Sequence, residues 1–369
     1  WHGVDLGPCV TAWKDKTYLK SKIGHLRSSF HYSADTPDLD FENRNFKYIV
    51  AHFGDVLDLM DEGGTAGSKA SELPKADAAQ AQRLEPGFYY YRATSLDRKA
   101  ASMDNTLEPL KDDFKVPEQV CLESACYGSS CVDKECGSGA EKPPKPYAVY
   151  STVVRMCSPR IRIWLHYDVC DNIICQITGR KRVVLFPPSV ADKLELSDSS
   201  SRLGARCLSL PGVTGQGLGA EKDVNNVTPS CIKNFPPSFL DAWKERYEVV
   251  LEPGDVLRIP ALWGHCTEDV RRPTHSEVPD GEARDAGSSN GEEHGIGISV
   301  NIFFKTQDLE PFYANKDAWC NVDYTPYREG SKLVDKALGE VRKLPCRARE
   351  FYLLRLRAKI DEQLLGLDS

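Results

Sequence analysis

Arg160-Ile161-Arg162-Ile163-Trp164-Leu165-His166-Tyr167-Asp168 begins by alternating charged with apolar side chains and ends on two groups able to hold a metal. The alternation reads as a half-buried β-strand. Working outward, short β-branched or alternating runs cover 148–155, 173–176 and 182–186, with Thr178-Gly179-Arg180 marking a turn before Lys181. Three more lie at 247–251, 255–259 and 297–304. Short strands at this density, broken by turns and loop-rich insertions, predict a two-sheet jelly roll or related barrel. Before them stand a helix near 13–19, a strand near 26–32, a helix near 51–60 and the aromatic strand Gly87-Phe88-Tyr89-Tyr90-Tyr91-Arg92. Two helices close the chain, at 332–344 and 348–365, separated by Pro345. In the second, Phe351, Leu354, Ala358 and Leu365 lie close to one stripe that Leu353, Leu356 and Ile360 widen. Such a stripe packs on the barrel or forms a homodimer interface, and its breadth favours the dimer.

Composition bounds the answer. The 369 residues suffice for a sizeable core in one large or two medium domains. Hydrophobic residues at 41% and charged residues at 27% suit a globular protein, and no apolar run approaches a membrane span. The sequence starts at Trp1 without Met or a signal pattern, so a trimmed N-terminus is expected and any upstream targeting segment is invisible. A net charge of −7 does not favour nucleic acid on global grounds. Locally, Arg342, Lys343, Arg347, Arg349, Arg355, Arg357 and Lys359 face only Glu350, which makes either a solvated helix face or a phosphate-binding one. Thirteen cysteines, several inside apolar strings (Cys170, Cys175, Cys266), suit reduced thiols in a cytoplasmic or nuclear protein. Cys121, Cys126, Cys131 and Cys136 recur every five residues without paired knuckle spacing, so a zinc site and a plain loop both remain open. Asn226-Val227-Thr228 matches a glycosylation acceptor, which carries no meaning without secretion.

Two imidazoles and one carboxylate can occupy one face of an octahedral Fe(II) and leave positions open. In an extended strand residues i and i+2 point the same way, so His166 and Asp168 can reach one ion. The third ligand is then His265, from a strand folded back alongside; it closes Pro253-Gly254-Asp255-Val256-Leu257-Arg258-Ile259-Pro260-Ala261-Leu262-Trp263-Gly264-His265. His-x-Asp/Glu alone is weak, since with eight histidines about one match arises by chance. A rival, His275-Ser276-Glu277, lies in a Gly, Ser, Asp and Glu-rich stretch that reads as a solvated insertion. Lys181 shares a strand face with Val183 and Leu185, where an ammonium needs an anionic partner unless it snorkels at the strand start. Asn301 interrupts an apolar strand and so needs a hydrogen-bond partner.

These residues resemble the JmjC 2-oxoglutarate/Fe(II) oxygenases, and among them the tRNA wybutosine-synthesizing hydroxylases. The likeness is carried by His166-Tyr167-Asp168, Asn172, Gly179-Arg180-Lys181-Arg182-Val183-Val184-Leu185-Phe186, Pro253-Gly254-Asp255 through His265, and Val300-Asn301-Ile302-Phe303. It extends to Gly3-Val4-Asp5-Leu6-Gly7-Pro8-Cys9, to 43–48, to Tyr89-Tyr90 with Arg92, and to the C-terminal helices. The resemblance implies a mainly β fold with flanking helices, a cupin-like double-stranded β-helix. The oxygenase domain would cover 1–325, with N-terminal α/β elements and loop insertions near 61–85, 121–146, 197–232 and 267–293; a helical segment would cover 326–369. His166, Asp168 and His265 would bind Fe(II). Lys181 would hold the distal carboxylate of 2-oxoglutarate, with Tyr90 as hydroxyl partner and Asn172 and Asn301 lining the pocket; Tyr90 also suits a plain core strand and Asn301 a plain hydrogen-bonded one. With O₂, this machinery would hydroxylate the amino-carboxypropyl side chain of wybutosine in phenylalanine tRNA. RNA contacts would come from Arg92, Arg98, Lys99 and the basic C-terminal helix. The alternatives are a protein hydroxylase or demethylase of the same chemistry, which the acidic net charge favours, and a non-catalytic jelly-roll module. Arg258 departs from the aromatic or apolar residue expected there.

Overall fold

A computed structural model describes residues 1–41, 44–62, 84–93, 101–117, 147–210, 233–270, 295–306 and 309–365. The expected insertion at 121–146 and most of those near 61–85, 197–232 and 267–293 lie outside the described residues, as do His275-Ser276-Glu277, the four evenly spaced cysteines, Asn226, Arg98 and Lys99. The chain divides into two compact units, one of Trp1–Glu310 with Asn315–Val322 and one of Pro311–Ala314 with Asp323–Ser369.

In the first unit the order is α1 (Cys9–Ala12), α2 (Lys16–Ile23), β1 (Arg27–Ser33), β2 (Asp38–Leu39), β3 (Lys47–His52), α3 (Phe53–Glu62), β4 (Phe88–Arg92), α4 (Met103–Thr106), β5 (Tyr147–Cys157), β6 (Arg162–His166), β7 (Asp171–Thr178) and β8 (Arg180–Phe186). There follow β9 (Leu196–Ser197), β10 (Ser200–Ser201), α5 (Pro237–Lys244), β11 (Tyr247–Leu251), β12 (Val256–Ile259), β13 (Gly264–Val270) and β14 (Gly297–Thr306). The starts of α2 and α5 have local causes: Asp15 accepts from Thr17 N, and Pro237 occupies the first turn of α5, where its missing N–H costs nothing.

Two antiparallel sheets form the jelly roll expected from the strand spacing. The first runs β12-β7-β14-β5-β4-β1-β3, and the second β11-β8-β13-β6-β10-β9, with β2 parallel beside β6. Three apolar layers hold them. Helices α1 to α3 close over the first sheet through Trp13, Leu19, Phe30, Phe53, Tyr91 and Val300. Ile174, Val183, Leu185, Leu251 and Ile259 pack between the sheets. Behind the second sheet, Leu165, Val184 and Phe186 meet Phe239 and Trp243 of α5. Successive residues of β8 thus enter different layers, as period-two geometry requires, and each large apolar side chain so buried contributes roughly 1.5–3 kcal/mol.

The differences from expectation are local. The first helix is split into α1 and α2 around Trp13, which is fully buried. Strand β3 occupies 47–52, and α3 begins only at Phe53; as a sheet edge, β3 leaves Tyr48 and Val50 exposed. Strand β13 is absent from the expected set because Gly264-His265-Cys266-Thr267-Glu268-Asp269 is polar, yet it lies between β8 and β6 with most of its side chains buried. In the second unit, α6 (Thr325–Val341) and α7 (Cys346–Leu365) contain no buried residue. No helix among the described residues is long and apolar enough to cross a membrane.

One hairpin tests the ladder. Gly179 joins β7 to β8 at φ +70°, and a Cβ there would stand 3.1 Å from Gly297 Cα. Gly179→Ala is expected to cost about 1–2 kcal/mol of unfolding free energy, read from the midpoint of a urea transition at unchanged slope.

Candidate metal centre

His166 is the last residue of β6 and His265 the second of β13, and they stand directly opposite each other in the ladder. Their ring centroids are 4.2 Å apart. The register slips beside them: His265 faces His166, but Thr267 faces Ile163. Two steps on β13 therefore match three on β6, a bulge that aims both Ile163 and His166 into one pocket while Leu165 joins the layer behind.

Asp168 lies beyond the end of β6, so the expected strand geometry of i and i+2 is replaced by a tethered loop. Tyr167 N donates to Ser199 O at 2.9 Å, and Val169 N to Cys320 O at 2.6 Å. Leu262 N donates to Asp168 O at 2.8 Å, tying this loop to the turn before β13. Leu262 sits at φ 66°, a strained value that the surrounding bonds hold in place. One donor atom each from His166, Asp168 and His265 falls within 4.8 Å of the others, with His265 Nε2 3.5 Å from Asp168 Oδ2.

The tautomers follow from hydrogen bonding. His166 Nδ1 meets Trp164 O at 2.8 Å and His265 Nδ1 meets Trp263 O at 3.0 Å. A carbonyl only accepts, so each Nδ1 carries the proton and each Nε2 keeps a free lone pair. Burial holds His166 well below the usual histidine range, with His265 adding to the effect. It lowers His265 to about 4, and the Arg155 charge works in the same direction. Burial pushes Asp168 up to about 8 against the opposing Arg155 charge, with Asp317 adding to the rise. Two neutral imidazole nitrogens beside a carboxyl that burial keeps from ionising form a set that a divalent cation relieves. This donor set fits a first-row metal such as Fe(II), with three protein ligands and further positions open.

Beside the donors opens a pocket of about 430 Å³, its mouth included, lined from both sheets. Tyr90, Asn172, Lys181 and Asn301 all line it, so the structure brings the candidate cosubstrate residues together beside the candidate metal ligands. Arg155, Thr267, Asp269 and Ser299 join them. A polar chain crosses the floor: the Arg155 guanidinium donates to the Tyr90 hydroxyl and, through Nε, to Asn301 Oδ1 at 2.9 Å. Asn301 Nδ2 donates to Asn172 Oδ1 at 3.0 Å, and Asn172 Nδ2 approaches Asp168 Oδ2 at 3.4 Å. Each amide is thereby fixed in one orientation.

Three sequence expectations need amending. Lys181 does not wait for an outside anion, because its Nζ already donates to Asp269 Oδ2 at 2.7 Å. Burial alone would lower the lysine; the Asp269 charge outweighs it and raises it above the usual range. Arg92 is half-buried, its guanidinium 3.8 Å above the Trp319 ring and 5.1 Å from that of Phe41, so it is engaged with aromatic faces of the chain itself. Arg258 pairs with Asp171 through Nη2 at 3.3 Å, while its Nε is buried without a hydrogen-bond partner. Arg155 and Asp269 are the charged pocket residues that sequence reading missed. The signal for Arg155 is a charge inside Val153-Val154-Arg155-Met156; Asp269 becomes visible only once β13 is recognised.

Residues 2–310 match the family described as a cupin-like domain. The chain is 28% identical over 367 residues to a Neurospora crassa protein named tRNA wybutosine-synthesizing protein 4, covering 99% of this chain but 23% of that relative. It is 28% identical over 369 residues to Homo sapiens tRNA wybutosine-synthesizing protein 5, covering 100% of this chain and 89% of the relative. The Danio rerio protein of the latter name is 26% identical over 362 residues, covering 98% and 84%.

Asp168→Ala is expected to abolish Mn(II) binding in a calorimetric titration. Asn172→Ala, which removes the supporting hydrogen bond to Asp168 and the link to Asn301, should weaken it by about 10-fold.

Proposed function

The chain belongs to the cupin-like domain family, and on that footing we propose that it is an Fe(II)- and 2-oxoglutarate-dependent hydroxylase acting on the wybutosine side chain of phenylalanine tRNA. The observation that carries this reading is the buried His166, Asp168 and His265 set, with both imidazoles locked to offer Nε2. Bound Fe(II), with 2-oxoglutarate and O₂, supplies the oxidising power to place a hydroxyl on an sp³ carbon. The protein's own part is position. His166, Asp168 and His265 would hold the ion. Lys181 would meet the far carboxylate of the cosubstrate, with Tyr90, Asn172 and Asn301 lining the cavity and Ile163 and Ile174 keeping water from it.

The substrate reading draws support from the names of the relatives, each of which refers to wybutosine synthesis in tRNA. It also draws on α7 and the residues before it, where Arg342, Lys343, Arg347, Arg355, Arg357 and Lys359 are exposed and able to meet phosphates. Exposed Leu333, Phe351, Leu354 and Leu365 on α6 and α7 support a homodimer built through these helices. The buried free thiols of Cys9, Cys157, Cys170, Cys175, Cys207, Cys266 and Cys320 suit a reducing compartment, the cytoplasm or nucleus. A net charge of −7 favours the second reading, the same chemistry on a peptide.

Purified protein with Fe(II), 2-oxoglutarate and O₂ should add one oxygen atom to the wybutosine base of phenylalanine tRNA, read by nucleoside mass spectrometry. Histone and other peptides should stay unchanged, and Asp168→Ala should release no succinate. Oxygen on a peptide instead would transfer the reading to a protein hydroxylase; no cosubstrate turnover with any acceptor would leave a binding module. In light scattering, wild type should weigh as a dimer and Leu354→Asp as a monomer.

A further inference from the structure

Lys181 and Asp269 form a closed ion pair where the reading above puts the far carboxylate of the cosubstrate. They face each other directly across β8 and β13, Nζ to Oδ2 at 2.7 Å, at 5% and 4% exposure. The carboxylate is held from several sides. Cys157 donates its S–H to the same Oδ2 at 3.0 Å, and burial together with the Asp269 charge keeps that thiol protonated. Asp269 Oδ1 is buried with no hydrogen-bond partner and lies over Gly297, where a Cβ would come within 2.0 Å of it. Residue 297 thus leaves room for this carboxylate that a side chain would fill.

A second carboxylate reaching Lys181 meets an ammonium whose charge is already compensated, and it comes to rest beside a buried like charge. The other cation of the pocket, Arg155, is engaged with the neutral Tyr90 hydroxyl and Asn301, and has no carboxylate partner among the described residues. It lies at the Tyr90 end of the polar chain, two residues along β5 from Cys157, with its donors to Tyr90 and Asn301 already committed.

We propose that Asp269 is an internal stand-in for the distal carboxylate of 2-oxoglutarate, a specificity-determining residue that weakens the hold on a dicarboxylate relative to a 2-oxo acid lacking that group. The proposal rests on the pocket being the cosubstrate site. 2-Oxoglutarate enters by displacing Asp269 from Lys181 or by sharing the ammonium, whose three N–H donors can serve two acceptors. By both routes Asp269 raises the cosubstrate concentration at which the site fills.

The test is calorimetric binding to the full chain loaded with Mn(II) under argon, with 2-oxoglutarate and 2-oxobutyrate as probes. Asp269→Asn and Asp269→Ser should each bind 2-oxoglutarate about 10-fold tighter than wild type, with 2-oxobutyrate unchanged. Lys181→Met should lose the preference for the dicarboxylate. Thermal melts identify any variant that has not folded, and the two substitutions at 269 differ enough in size for one to stand in for the other. Equal or weaker 2-oxoglutarate binding by a folded Asp269 variant overturns the proposal. If Mn(II) binds but neither 2-oxo acid does, in wild type and variants alike, the cosubstrate reading itself fails and the proposal falls with it.

Discussion

The pairing of β6 with β13, closed where His166 stands opposite His265, is the constraint from which the rest of the centre follows. It brings together two residues almost a hundred positions apart and leaves no freedom in their spacing. Both imidazoles then use one local device. Each Nδ1 donates to the carbonyl two residues upstream, Trp164 for one and Trp263 for the other. The tautomer is therefore set by strand backbone and not by a mobile side chain, and the same backbone is pinned by neighbouring strands.

Asp168 is held differently, and the contrast is instructive. Its loop has no ladder of its own, so three separate backbone contacts, to Ser199, Cys320 and Leu262, do the work of one strand. The contact from Leu262 matters most for coherence, because it joins the loop of one ligand to the turn that delivers another. From Asp168 the polar chain through Asn172, Asn301 and Arg155 to Tyr90 runs across the opposite sheet. The candidate ligands belong chiefly to one sheet and their supports to the other, so the packing between the sheets sets the geometry of the pocket.

Much of this was legible in the residue pattern. Period-two alternation reveals β5 to β8, β11, β12 and β14, because each buries apolar residues on at least one face. Strand β13 escapes the rule. Its polar residues meet neighbours that are themselves polar, Lys181 for one oxygen of Asp269 and the backbone of Trp263 for His265, so burial leaves no apolar trace. The candidate metal ligands are legible by residue type and Lys181 by its charge in an apolar run. Arg155 shows the same signature, but its partner Asn301 is 146 residues distant and only the pairing of β5 with β14 brings the two together. Asp269 illustrates the limit of local reading: a lysine that needs a counterion says nothing of whether the counterion comes from a ligand or from the chain.

The bulge in β6 has a bearing on how this chain tolerates change in length. Removing one residue from a regular stretch of either strand would turn every side chain beyond it to the other face, whereas removing one between Ile163 and His166 would restore a two-for-two ladder with both still facing the pocket. Extra residues between β13 and β14 carry no such penalty, because closing a longer connection costs only a logarithm of its length. Variation by insertion and deletion should accordingly be steeply graded along the chain, generous between strands, permissive at the bulge itself and close to forbidden along the regular ladder on either side of it.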